Sequence, residues 1–313
     1  MLPIDDNVPV PVTASEAVSG NDDPLAAPGK RAELARQILM DIDDYCVKTY
    51  NDGHRNHLGA SLIGHECSRY LWNVFRWLLA EEFDGRILRL FQRGHLEEAR
   101  FTEYLVGIGA EVVEFQPDAE GNANKGEQQY RIKAVMGHFG GSLDGQIMLP
   151  EKYGIPFAFL GEYKTKGTGR GFVKLRENGV KLEAPQHYVQ MSMYGRAYGY
   201  KYAVYMCVNK NDDDLIVEVV ELDWTLGEEI ERKAYDIITA QTPPEKISTT
   251  PAFHKCKMCN FSGVCFSGDD VEVNCRSCVN ASATENATWT CSLHGVIPPD
   301  FIKDGCDKHT PIV

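Results

Sequence analysis

The segment from Phe157 to Lys166 constrains the fold most tightly. It alternates with a period of two, which puts Ala158, Leu160, Glu162 and Lys164 on one face of an extended strand and Phe157, Phe159 and Tyr163 on the other. The chain around it changes period. From Lys30 to Tyr50, Leu34, Ile38, Ile42 and Tyr45 recur at helical spacing, and Asn51-Asp52-Gly53 ends the pattern. A second helix is expected from Ser61, a suitable N-cap, through Ile63, Tyr70, Leu71, Val74, Phe75 and Leu78, with Cys67 and Arg69 in its first turns. A third, from Ile87 to Gly107, carries Leu88, Phe91, Tyr104, Leu105 and Ile108, and places His95 and Glu98 on one face at i,i+3.

After Gly109 the pattern turns to strands: Glu111–Gln116, Gln129–Met136 and Gly141–Leu149, with Asp144 inside the third. A helix follows from Ala184 to Tyr198, with Pro185 in its first turn. Tyr202–Val208 and Leu215–Leu222 are two further strands, and a last helix from Leu226 stops at Pro243-Pro244. Helices first, then strands with an intervening helix, predict an α/β fold: a mixed central β-sheet flanked by helices.

The 313 residues suffice for one large domain or a domain with appendages. Residues 1–29 hold several acids, Pro and Gly and no basic residue, so they are expected to form a disordered acidic tail and not a secretory signal. No apolar run is long enough for a membrane span, and no membrane partner is expected. A net charge of −13 argues against a nucleic-acid partner, since phosphate binding leaves a basic footprint. The charge is uneven, however. Lys164, Lys166, Arg170, Lys174, Arg176 and Lys181 face the single acid Glu177, which makes this stretch either a solvated loop or a hold on a phosphate backbone.

Phosphodiester cleavage needs a hydroxide nucleophile, neutralised charge at phosphorus and help for the leaving oxygen, all of which a divalent metal supplies. Two carboxylates on neighbouring strands can hold Mg²⁺. Asp144 and Glu162 have that chemistry, and Lys164 stands beside them on the face of Glu162. Gly140-Gly141-Ser142-Leu143-Asp144-Gly145, then Glu162-Tyr163-Lys164, then Gln190 and Tyr194 at i,i+4 on a helix, resemble the active site of the PD-(D/E)XK nucleases, in their RecB-type branch. The resemblance implies a restriction-endonuclease-like core in which Asp144, Glu162, the Tyr163 carbonyl and His95 hold Mg²⁺ or Mn²⁺. It further implies that Glu98 supports His95, that Lys164 assists the chemistry, and that Gln190 and Tyr194 help place the DNA strand. Lys166, Arg170, Lys174 and Arg176 would then lie along the DNA path.

Seven of the ten cysteines fall between Cys256 and Cys306 in closely spaced pairs, which is metal-site spacing and points to a reducing, cytoplasmic setting. Cys256, Cys259 and Cys265, with Cys67 far upstream, resemble the iron–sulfur set of CRISPR-associated adaptation nucleases and helicase–nuclease subunits. That resemblance implies a 4Fe-4S cluster, and four thiolates suit Zn²⁺ equally. Cys275, Cys278 and Cys291 spell a zinc knuckle, with Cys306, His309 or His294 as fourth ligand. Cys46 and Cys207 have no such partners and are expected to be small buried apolar residues. The division that follows is a tail over 1–29, a nuclease domain over 30–268 and a small zinc-binding segment over 269–313. About 45 residues bury little core, so metal is the expected source of that segment's stability.

The expected function is that of a metal-dependent DNA nuclease, an exonuclease in phage-type recombination or end processing, with a strand-annealing or single-strand-binding protein as possible partner. A CRISPR-adaptation nuclease with integrase partners and an inactive DNA-binding scaffold are the alternatives. No stretch announces an oligomer interface.

Overall fold

The computed structural model describes residues 25, 27–80, 82–167 and 169–313; the expected acidic tail lies outside them over 1–24. The chain forms two compact units, one of Met1–Asn51 with Phe83–Arg89 and one of Asp52–Glu82 with Leu90–Val313.

In the first unit, helix α1 spans Lys30–Tyr50. Its expected apolar stripe faces outward, with Leu34, Ile38, Ile42 and Tyr45 all exposed and Cys46 buried. Asp43 pairs with Arg89 near the start of α3 (Gly85–Gly107).

The second unit is built on a five-stranded mixed sheet. Its strands are β2 (Glu111–Val113), β5 (Gly145–Met148), β6 (Phe159–Lys166), β7 (Tyr202–Asn209) and β8 (Leu215–Glu221), in the order β2-β5-β6-β7-β8. Only β6 and β7 run parallel; the other neighbours are antiparallel. The parallel pair requires a crossover. It is made by α4 (Arg170–Asn178), α5 (Val180–Glu183) and α6 (Pro185–Tyr198). The basic stretch is therefore largely helical, anchored by buried Phe172, Leu175 and Val180.

The alternation of β6 is kept, and it separates two cores. Leu160 joins Ala203, Tyr205 and Cys207 of β7 on the face packed by α6, α2 (Ser68–Phe75) and α7 (Trp224–Thr239). Phe159 and Tyr163 join Val204, Met206 and Val208 on the other face, under Phe101 and Leu105 of α3.

Two sequence expectations change. The helix expected from Ser61 begins only at Ser68: Leu58–Gly59 (β1) pairs in parallel with Phe139-Gly140, and turns closed by the Leu62 amide on the Gly59 carbonyl and the His65 amide on the Leu62 carbonyl intervene. Asp144 lies not inside one long strand but between two. β4 (Phe139–Ser142) belongs to a small sheet with β1 and β3 (Arg131–Ala134), and the chain changes sheets before β5 begins at Gly145.

The C-terminal segment forms an antiparallel sheet of β9 (Ala281–Thr284), β10 (Thr288–Cys291) and β11 (Gly295–Ile297). Trp289, Ile297, Ile302 and Ile312 belong to the same core as α2 and β6. Core packing is thus a source of its stability. Arg276 stacks on Trp77 with 4.0 Å to the ring centre, and its guanidinium donates to the carbonyls of Phe75 at 3.1 Å and Asn56 at 2.6 Å. Among the described residues no helix is long and apolar enough to cross a membrane.

Candidate active site

Strand β6 supplies Glu162 and Lys164 two residues apart, hence on one face. Antiparallel pairing of β5 with β6 sets Gly145 against Gly161, so the residue before Gly145 reaches the level of Glu162. That residue is Asp144. Its Oδ2 accepts a 2.7 Å hydrogen bond from the Tyr163 amide, which fixes the carboxylate to the neighbouring strand.

The Lys164 ammonium stands at the focus of three oxygens. It donates to the Tyr163 carbonyl at 3.0 Å, lies 3.6 Å from Asp144 Oδ2, and forms an ion pair with Glu162 Oε1. Glu162 is fully buried and Oε1 has no hydrogen bond of its own, so that ion pair alone compensates it. Burial raises the Glu162 pKa and the charges of Asp144 and Glu98 add to the rise, while Lys164 opposes it. Burial works against the Lys164 ammonium, but Glu162 and Asp144 outweigh it and hold its pKa above the ordinary value. Two carboxylates and a carbonyl converging on a cation form an oxygen cradle of the kind that hard divalent metals take. Here the ammonium stands in for that cation, and the residues fit a divalent metal.

Helix α6 closes the site from one side. Gln190, buried, donates to Glu162 Oε2 at 3.4 Å. Tyr194 is fully buried, and a Cβ at Gly141 would collide with its hydroxyl and with the Ala60 methyl. Both side chains are buried, and Gln190 orients Glu162. One turn before Gln190 on the same helix is His187, which the sequence reading missed. Its Nδ1 lies 3.0 Å from the Tyr205 hydroxyl, and burial together with Lys164 and Lys166 lowers its pKa to about 3.

Helix α3 closes the other side. His95 is exposed and makes no hydrogen bond or ion pair among the described residues. Glu98, one turn further on, is the residue brought to the carboxylates. Burial and the Asp144 charge push its pKa up to about 7, against the pull of Lys164. Glu98, Phe101, Thr102 and Leu105 form one helical stripe, of which Phe101 and Leu105 enter the core beneath the sheet; His95 extends that stripe outward by a turn. Thr102 donates to Glu114 Oε1 at 2.9 Å, adding a further carboxylate that no motif announced. Burial, first, and Asp144 raise the Glu114 pKa as well.

Of the residues expected along a DNA path, Lys166 closes β6, while Arg170 and Lys174 are exposed on α4. Arg176 is occupied by an ion pair to Asp214.

No protein-family model matches the chain, and no curated protein does. Among solved structures, the crystal structure of SSO0001 is similar at 16% identity and a TM-score of 0.40, over 73% of this chain and 95% of that one. An alkaline exonuclease (LHK-Exo) from Laribacter hongkongensis is similar at 14% identity and a TM-score of 0.36, over 63% and 90%. LHK-Exo in complex with dAMP gives 15% and 0.32 over the same shares. The residues of the site, and not these distant likenesses, carry the chemistry.

Eight of the ten cysteines gather in two places, and none of the ten is in a disulfide. Cys67 caps the N-terminus of α2, its sulfur accepting from the Tyr70 amide at 3.4 Å. Burial raises the thiol pKa of Cys259, and Cys265, Cys67 and Cys256 add to it, which puts the four in mutual electrostatic reach. Independent contacts already join these chain ends: Arg69 donates to the Pro244 carbonyl at 2.6 Å and Trp72 to that of Ala240 at 3.0 Å. Cys275, Cys278, Cys291 and Cys306 line a second location, a cavity of about 340 Å³. Among the described residues no three His, Cys, Asp or Glu side chains stand together at metal-holding distance. The cradle around Lys164 has only two such side chains, its third oxygen being main-chain. Cys46 and Cys207 are buried, as expected.

Proposed function

We propose that the protein is a metal-dependent DNA nuclease hydrolysing phosphodiester bonds, and that it works as an exonuclease in recombination or end processing. The observation that carries the reading is the convergence of Asp144 Oδ2, Glu162 Oε1 and the Tyr163 carbonyl on one cation position beside a lysine. Those oxygens would hold Mg²⁺ or Mn²⁺, which when bound supplies charge neutralisation at phosphorus and a more acidic water.

The chain's own residues do the rest. Displaced from the cradle, the Lys164 ammonium remains two residues from Glu162, where it can donate to a non-bridging phosphate oxygen as charge develops there. Gln190 holds Glu162 Oε2 and so fixes which oxygen faces the cradle. Glu98 adds a carboxyl that exchanges its proton near neutrality and so moderates the charge at Asp144. Lys166, Arg170 and Lys174 would hold the backbone beside the site. Cys67, Cys256, Cys259 and Cys265 would hold a 4Fe-4S cluster or Zn²⁺ as a staple away from the chemistry. Exonucleolytic action rests on the resemblance to RecB-type nucleases alone.

The test is cleavage of end-labelled and of covalently closed DNA with Mg²⁺, with Mn²⁺ and with chelator. Metal-dependent cleavage that needs a free end, and that disappears in Glu162→Ala and Lys164→Ala, is the expected result. Undiminished cleavage by either variant sinks the assignment. Binding of DNA without cleavage in both metals would favour a scaffold instead.

A further inference from the structure

We propose that the turn joining β7 to β8 is an autoinhibitory strap, whose aspartates hold an arginine of α4 that a DNA backbone would otherwise take. The proposal rests on the nuclease reading in one respect only, that a phosphate chain passes along α4 beside the carboxylates.

The turn, residues 209–214, carries three consecutive acids, Asp212, Asp213 and Asp214, all exposed. Strand register fixes its place. Lys166, the last residue of β6, pairs with Asn209, and the Lys210 amide donates to the Lys166 carbonyl at 2.8 Å. The turn therefore stands at the end of the strand that carries Glu162 and Lys164, about 7 Å beyond Lys164 by strand rise.

Its shape is set internally. The Asn209 amide donates to the Asp214 carbonyl at 2.8 Å, and the Asp213 amide to the Asn209 carbonyl at 2.9 Å. Asp213 has a φ of 57°, in the left-handed region that aspartate enters more readily than most residues. Asp212 Oδ1 accepts from the Asp214 amide at 3.1 Å, so that carboxylate is engaged within the turn. Asp213 and Asp214 are the two that reach outward.

They reach arginines on opposite sides of the sheet. Asp214 Oδ2 forms an ion pair with Arg176 Nη2 of α4, and Asp213 Oδ2 lies 4.0 Å from Arg100 Nη2 of α3. Arg93, two turns before Arg100 and on the same face of α3, donates to the Lys210 carbonyl at 2.7 Å. Arg100 is also held by Glu97 at 2.9 Å and by the Tyr104 hydroxyl at 2.7 Å. The α3 contacts thus anchor the turn, and Arg176 is the cation that the turn takes out of use. Arg176 lies over the Phe172 ring as well, 5.3 Å from its centre, a contact it can keep when the carboxylate leaves.

The Arg176 and Asp214 side chains are 48% and 47% exposed. Ion pairs this exposed hold weakly. A nucleic acid offers phosphate after phosphate and gains from releasing its counterions, so it can displace a single carboxylate. In the closed arrangement Arg176 is neutralised, and Asp213 and Asp214 repel a phosphate chain. With the strap displaced, Arg176 is added to Lys166, Arg170 and Lys174.

The experiment uses the full-length protein. Binding of labelled single- and double-stranded DNA is followed by fluorescence anisotropy in chelator over a salt series, for wild type, Asp214→Asn, Arg176→Ala and the double variant. Asp214→Asn should tighten binding by about 3- to 10-fold at moderate salt and steepen the salt slope by about 1. Arg176→Ala alone should change little, and the gain should vanish in the double variant. A gain that persists without Arg176 reflects only a lost negative charge and overturns the strap, as does no gain in Asp214→Asn. DNA bound but left uncut in Mg²⁺ and in Mn²⁺ defeats the nuclease reading, while the four-protein comparison still decides the strap. Absence of DNA binding in both wild type and Asp214→Asn overturns the two together.

Discussion

The ammonium of Lys164 and the carboxylate of Asp144 face each other across 3.6 Å, with Asp144 Oδ2 already held by the Tyr163 amide. A positive group in that position competes with a divalent cation for the same oxygens. Lys164→Met should therefore bind Mn²⁺ more tightly than the parent while cutting DNA more slowly, by about 10²- to 10³-fold if the ammonium stabilises developing charge. Calorimetric Mn²⁺ titration beside single-turnover cleavage measures both. Weakened Mn²⁺ binding in this variant would contradict the competition.

The two candidates on α3 separate cleanly. Glu98 feels Asp144 and Lys164, whereas His95 is exposed. Glu98→Ala should lower cleavage by about 10- to 100-fold, the cost of losing a group that supports metal ligands. His95→Ala should stay within about 2-fold, as expected for a surface change. Equal loss in both would return the histidine to the site.

His187 gives a pH dependence of defined sign. Its folded pKa of about 3 lies below the unfolded value of 6.5. Between those values the unfolded chain binds more protons, so its contribution to stability falls as pH drops from about 6.5 toward 3 and is level above that window. From pH 6.5 to 4.5 the loss should be about 2–3 kcal/mol. Glu98 and Glu162, with raised pKa values, work in the opposite sense. The comparison of wild type with His187→Gln in metal-free urea denaturation isolates the histidine. The variant should lose less stability on acidification.

Gly141→Ala should destabilise by about 1–3 kcal/mol, because the new methyl meets buried atoms on two sides. Adding Tyr194→Phe removes the hydroxyl from that collision and should recover part of the loss, though Ala60 remains. Denaturation midpoints of the single and double variants decide it.

On the basic helix, Arg170→Ala and Lys174→Ala should each weaken DNA binding and lower the salt slope by about 1. Arg176→Ala should do less, since Arg176 is already paired with Asp214. Binding titrations at several salt concentrations distinguish them.

Much of this was legible in the chain. The period-two run of β6 announced both the central strand and the shared face of Glu162 and Lys164, because strand geometry alone sets side-chain direction. The helical spacing of Gln190 and Tyr194 was equally plain, but not that both are buried, since burial depends on what lies opposite. Ser61 resembled an N-cap, yet the pairing of Leu58-Gly59 with Phe139-Gly140, some eighty positions on, overrode local preference. Glu114 carried no signal at all. Its approach to Thr102 depends on α3 lying against the sheet. Trp289 likewise gave no hint of which core it would enter.

The position of Trp289 bears on the order in which the protein can be made. Arg76 donates to the carbonyl of Ala281, 205 residues further along, and Phe75 packs on Trp289 with 5.4 Å between ring centres. The corner of the core around Phe75 and Arg76 is complete only when residues beyond 280 are in place. Contacts of such sequence separation slow folding. Until then Phe75 lacks the Trp289 ring that covers it, so β10 completes a core begun on α2 near the start of the chain.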